Sequence, residues 1–112
     1  MIGKNTFLDN QIHVAHNVKI GENCIIAGQA GFAGSSSLGN NVMIGGQAGV
    51  SGHLKIGNHV RIQGQSGVIK NIPDNTDIQG SPAIGYRDFY RSYAVFRRLP
   101  EIEKKISQIK KD

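Results

Sequence analysis

The 112 residues suffice for one domain, but a globule this small buries only a modest fraction of its surface, so added stability has to come from repetition or assembly. Apolar residues make up 38% and aromatics 6% with no Trp, which excludes a core built on large rings, and fifteen glycines call for many turns instead. The formal charge of +5 is unevenly placed: residues 1–86 hold five basic and four acidic groups, residues 87–112 hold eight and four, and an acidic partner is expected at that basic end.

Cys24 is the single cysteine, which excludes an intrachain disulfide and a multi-cysteine zinc site and fits a cytoplasmic protein. The opening MIGKNTFLDN lacks the basic-then-apolar order of a signal peptide. No stretch reaches the roughly 18 apolar residues of a membrane span.

From Ile2, every sixth residue is apolar: Ile2, Leu8, Val14, Ile20, Ile26, Phe32, Leu38, Ile44, Val50, Ile56, Ile62 and Val68. At this composition such a run arises by chance at a rate on the order of 10⁻⁵, and a fixed period marks a repeat architecture. The position after each is mostly small, and the next is often Gly or Asn (Asn10, Gly28, Gly34, Asn40, Gly46, Gly52, Asn58, Gly64), where the positive φ of tight corners is expected. Each hexad then reads as a short flat strand with one inward aliphatic side chain and a corner. Three hexads close a triangular coil of 18 residues, and residues 1–73 hold about four coils in a prism on the order of 20 Å tall. The pattern resembles the hexapeptide-repeat family. That resemblance, not the period, implies an all-β solenoid wound as a left-handed parallel β-helix, an exception to the usual right-handed crossover.

Residues 74–85, DNTDIQGSPAIG, end the register and read as an exit loop. Residues 86–112 then form a C-terminal helical extension, with Pro100 separating two helices. In the second, Leu99, Ile102, Ile106 and Ile109 are spaced 3, 4 and 3, the seam of a helix packing on others. A helix of about a dozen residues is marginal alone, so assembly is implied.

Of four histidines, His13 and His59 lie outside the inward register and read as exposed. His16 and His53 share a face: Gly34 lies one 18-residue coil beyond His16, and His53 two coils and one residue beyond it. An imidazole, a backbone N–H about 5 Å along and a second imidazole suit acyl transfer. A His takes the proton of an attacking amine or hydroxyl, and an N–H at a position without a side chain reaches the oxyanion. Two histidines about 10 Å apart without an acidic cluster do not suit a metal ion, and no cofactor is called for.

The segments DNQIHVAHNVKIGENCIIAGQAGFAGS, IGGQAGVSGHLKIGNHVRI and GSPA resemble the carboxy-terminal part of the UDP-3-O-(3-hydroxyacyl)glucosamine N-acyltransferases of lipid A biosynthesis, over essentially the whole chain. HxAHN with a GH 37 residues after its second His carries the likeness; HxAH alone also occurs in the related UDP-N-acetylglucosamine O-acyltransferases. The resemblance implies His16 as general base toward the 2-amino group of the UDP-linked sugar. The donor would be a 3-hydroxyacyl thioester on acyl carrier protein. Gly34 N–H would be the oxyanion donor and His53 a substrate-binding residue. Asp9 and Asn10 match the family's DNQ segment, Asp9 orienting the base and Asn10 contacting substrate. The resemblance also implies a homotrimer with sites between subunits, and helices that attract the acidic carrier protein through Arg87, Arg91, Arg97, Arg98, Lys104 and Lys105. Nucleic acid is a poor competitor, because no binding motif accompanies the charge. Family members carry an amino-terminal uridine-binding domain and further coils before the segment matched here. The competing readings are a coenzyme A-dependent acetyltransferase of the same fold and a trimeric structural module without activity.

Overall fold

The computed structural model describes residues 1–110, the side chain of Lys110 excepted. Eleven two-residue strands follow one another along the chain: β1 (Phe7–Leu8), β2 (His13–Val14), β3 (Lys19–Ile20), β4 (Ile25–Ile26), β5 (Gly31–Phe32), β6 (Ser37–Leu38), β7 (Met43–Ile44), β8 (Gly49–Val50), β9 (Lys55–Ile56), β10 (Arg61–Ile62) and β11 (Gly67–Val68). They stack in three parallel sheets, the faces of a prism. The first runs β1-β4-β7-β10, the second β2-β5-β8-β11 and the third β3-β6-β9. Partners such as Ile26 and Ile44 are 18 residues apart, so three strands close each coil and the expected parallel β-helix is present.

From Ile20 onward the predicted register fills the core: Ile20, Ile26, Phe32, Leu38, Ile44, Val50, Ile56, Ile62 and Val68 are all buried, whereas in the first coil Ile2 and Val14 are exposed and Leu8 is half-buried. A second inward position in each hexad went unread. Val18, Cys24, Ala30, Ser36, Val42, Ala48, Val60 and Ser66 form it, and the mixture of polar and small residues hides the column from a hydrophobic pattern. Its serines are satisfied locally, Ser36 Oγ donating to Ala33 O at 2.8 Å and Ser66 Oγ to Gln63 O at 2.7 Å.

The corners need correction. Positive φ falls not on the expected Gly and Asn positions but one residue later, on twelve non-glycine residues from Asn5 to Asn75 that include Gln29, Ser35, Gln47 and His53. In this conformation the amide turns along the prism axis: Gln29 N–H donates to Asn10 O at 3.0 Å, and Gln47 N–H to Gly28 O at 3.0 Å. The backbone bond to the coil below thus takes precedence over intrinsic preference. Glycine is demanded elsewhere, at Gly39, where a Cβ would press on Asn58 Oδ1 and stand 2.9 Å from Gly57 O. The Asn58 side chain is fixed there, accepting the Asn40 N–H at 2.8 Å.

A glutamine ladder binds one edge. Gln29 Nε2 donates to Gln11 Oε1 at 2.9 Å, Gln47 to Gln29 at 2.8 Å and Gln65 to Gln47 at 3.0 Å. Gln47→Ala removes two of these exposed bonds and is expected to lower stability by about 1 kcal/mol, read from the urea midpoint.

The expected loop at residues 74–85 is also corrected. The last coil is two residues short, so Ile72 bridges Ile56 and Ile78 pairs with Ile62, outside the frame of six. Residues 77–85 form a hairpin, β12 (Asp77–Gly80) with antiparallel β13 (Ala83–Gly85), that extends the first face. Helices α1 (Tyr86–Arg97) and α2 (Leu99–Lys110) follow, separated at Arg98, with Pro100 in the first turn of α2. Gly80 has φ 108°, and a Cβ there would meet the Phe89 ring at 2.9 Å, so glycine lets α1 seat its one half-buried aromatic on the hairpin. The rest of α1 is exposed, and the molecule measures 64 × 25 × 22 Å.

Candidate active site

The corner between the second and third faces carries two parallel columns. His16, Gly34 and Gly52 stack in one; Asn17, Ser35 and His53, all with φ near 60° and exposed or half-buried, stack in the other. The coils are tied here by Ser35 N–H donating to His16 O at 2.9 Å and His53 N–H donating to Gly34 O at 3.0 Å. Ala33 N–H is likewise used, donating to Val50 O at 2.9 Å. Between Ala33 and Ser35, the Gly34 N–H makes no backbone hydrogen bond among the described residues. A Cβ at Gly34 would lie 3.5 Å from His16 O, so residue 34 sits directly over residue 16. The corner therefore offers an exposed imidazole with an uncommitted amide one coil above it and His53 a further coil along.

Beside this corner the second face forms a groove of about 620 Å³. Its floor is the column Gly31, Gly49 and Gly67, paired strand to strand, with Gly34 at one edge and His13 and Ile69 toward its ends. No charged side chain lines it. Such a trough suits an alkyl chain lying along the prism axis. The glycines went unread as a unit, although their 18-residue spacing stands in the sequence.

Asp9 and Asn10 stand at the other edge of this face. They line a separate groove of about 670 Å³ with the glutamine ladder, Gln79 and Tyr90, and Asp9 Oδ1 accepts the Asn10 N–H at 2.8 Å. Within one chain, β2 lies between Asp9 and His16, so the structure does not bring the carboxylate to the imidazole. His13 and His59 are exposed. Arg87, Arg91, Arg97, Lys104 and Lys105 on the two helices and Arg98 between them are all exposed, and none is in an ion pair among the described residues. Among these residues, no cluster of three His, Cys, Asp or Glu is arranged to hold a metal, and no helix is long and apolar enough to cross a membrane.

The family model for bacterial transferase hexapeptides (six repeats) matches residues 1–34. UDP-3-O-acylglucosamine N-acyltransferase of Christiangramia forsetii is 54% identical over 111 residues, covering 99% of this chain and 33% of that protein. Among solved structures, UDP-N-acetylglucosamine O-acyltransferase of Moraxella catarrhalis has a TM-score of 0.75 at 32% identity, over 76% of this chain and 33% of its own. Soybean serine acetyltransferase has a TM-score of 0.68 at 27% identity, over 75% and 39%. The chain thus spans about a third of the length of the curated relative it matches. With a three-sided parallel prism built on an 18-residue coil and a likeness of this extent, the chain is similar in sequence and in fold to the bacterial hexapeptide-repeat transferases.

Proposed function

We propose that the chain carries the acyl-transfer site of an enzyme that moves a 3-hydroxyacyl group from acyl carrier protein to the 2-amino group of a UDP-3-O-acylglucosamine. The observation that carries this reading is the exposed His16 imidazole one coil below the uncommitted Gly34 N–H, at the edge of a groove without charge. The amine nitrogen attacks the thioester carbonyl carbon, and an imidazole nitrogen of His16 accepts its proton. Gly34 N–H donates to the oxyanion of the tetrahedral adduct. The C–S bond then breaks, the amide forms, and the proton passes from His16 to the departing thiolate. His53 holds the substrate from the adjoining column. Asp9 and Asn10 act from a neighbouring copy, since their own chain holds them one face away from His16.

The groove favours a long acyl group over acetyl, because three coils of glycine floor exceed what two carbons occupy. The test is transfer from 3-hydroxyacyl carrier protein, run beside acetyl-coenzyme A, with this chain and His16→Ala. Transfer from the carrier that depends on His16 supports the reading. Use of acetyl-coenzyme A alone favours the acetyltransferase, and inertness to every donor favours the structural module.

The assembly we propose is a homotrimer. Phe7, Ile25 and Met43 are neighbours in one outward column of the first face and are 60%, 50% and 46% exposed. The α2 seam of Leu99, Ile106 and Ile109 is also exposed. Ile25→Lys places a charge inside that column and is expected to weaken association at least tenfold, measured by sedimentation. The basic helices serve as the contact for the acidic carrier.

A further inference from the structure

On the other side of the catalytic corner, the third face has the opposite character to the glycine groove. Lys19, Ser37 and Lys55 point outward in register on β3, β6 and β9, a hydroxyl between two ammonium stems whose roots are about 10 Å apart. A hollow of about 510 Å³ opens beside Lys19 and Ser37, lined by Met1 and Val18 and offering Asn17, Lys19, Ser35 and Ser37 as its polar side chains, with Lys55 one coil further along the face and outside the hollow. No carboxylate lines it. Its residues also border the reaction centre, because Ser35 follows Gly34 and its N–H is bonded to His16 O.

The three consecutive serines divide their work. Ser36 points inward and is committed to Ala33 O at 2.8 Å, whereas the hydroxyls of Ser35 and Ser37 make no hydrogen bond to the described residues. Lys19 and Lys55 likewise have no carboxylate partner among the described residues, where Arg61 with Asp77 at 3.8 Å forms the ion pair. The Asp9 groove shows the contrast: it is lined by amides, a tyrosine and one carboxylate, without a basic group. An anion is therefore drawn to the third face and not to that edge.

From this arrangement we infer that Lys19, Lys55 and the hydroxyls of Ser35 and Ser37 form a phosphate subsite for a transfer partner of the acyl reaction. The inference rests on the acyl-transfer reading above and adds where the charge of the substrate lies. An ammonium with adjacent hydroxyl and amide donors matches the several acceptor oxygens of a phosphate. Two sources offer that group, the diphosphate of a nucleotide-linked acceptor and the phosphodiester that joins a thioester arm to its carrier. With the acyl chain over the glycine groove and phosphate over the third face, the reacting carbonyl falls between them, at the corner of His16.

The test is titration of the ¹⁵N-labelled full chain with pyrophosphate at constant ionic strength, followed by competition with UDP and, separately, with phosphopantetheine. Saturable shifts centred on Lys19, Ser35, Ser37 and Lys55 are expected, with affinity reduced at least tenfold in the Lys19→Met/Lys55→Met double variant. Competition by UDP assigns the subsite to the acceptor, and competition by phosphopantetheine assigns it to the donor. Absence of saturable shifts, equal binding by a folded double variant, or displacement by neither competitor would overturn the inference. Binding needs no turnover, so a subsite that saturates in a chain whose transfer is indifferent to His16→Ala would sink the acyl-transfer reading while leaving the phosphate site standing.

Discussion

Ile44→Asp is expected to abolish the native fold. Ile44 is 3% exposed and points into the prism from β7, stacked between Ile26 and Ile62 of the adjoining coils. A carboxylate there has no partner of opposite charge and no water. An unpaired buried charge costs several kcal/mol, comparable with the whole stability of a small domain. Nor can the damage stay local, since each coil is supported only by its neighbours. Circular dichroism decides it: Ile44→Asp loses the β-sheet signal, while Met43→Asp, one residue away and 46% exposed, retains it. The opposite pattern would place the inward register one residue off and reverse every assignment of face.

His16→Ala carries the largest expected effect on activity. A positioned general base contributes typically about 10²- to 10⁴-fold, and a loss of that size in kcat is expected, with KM changed far less. His16 is exposed and its backbone carbonyl, not its ring, ties the coils, so alanine leaves the Ser35 bond and the fold in place. Unchanged circular dichroism and sedimentation are the required controls. His53→Ala should act differently, raising KM more than it lowers kcat, because that residue is assigned to holding substrate. Equal kcat for His16→Ala and the unaltered chain would remove His16 as the base.

Much of this was legible because a closed three-sided coil imposes one arithmetic. Ile20, Ile26, Phe32 and their successors recur every six residues because each flat strand has one strongly apolar inward side chain. Gly34 lies over His16 because 18 residues return the chain to the same corner. The helices were legible as well, from the switch to a spacing of three and four at Leu99, Ile102, Ile106 and Ile109. Tertiary structure alone decided the corners. Whether Gly34 or Ser35 takes positive φ depends on which amide must reach the carbonyl of the coil below, and that partner is 19 residues away. Ile72 and Ile78 escaped notice because a coil shortened by two residues keeps its contacts with Ile56 and Ile62 while breaking the frame of six. The separation of Asp9 from His16 was hidden too: seven residues apart in sequence, they are held at opposite edges of one flat face. A period states which residues share a face, and only the packed coils state which of their polar groups remain unclaimed.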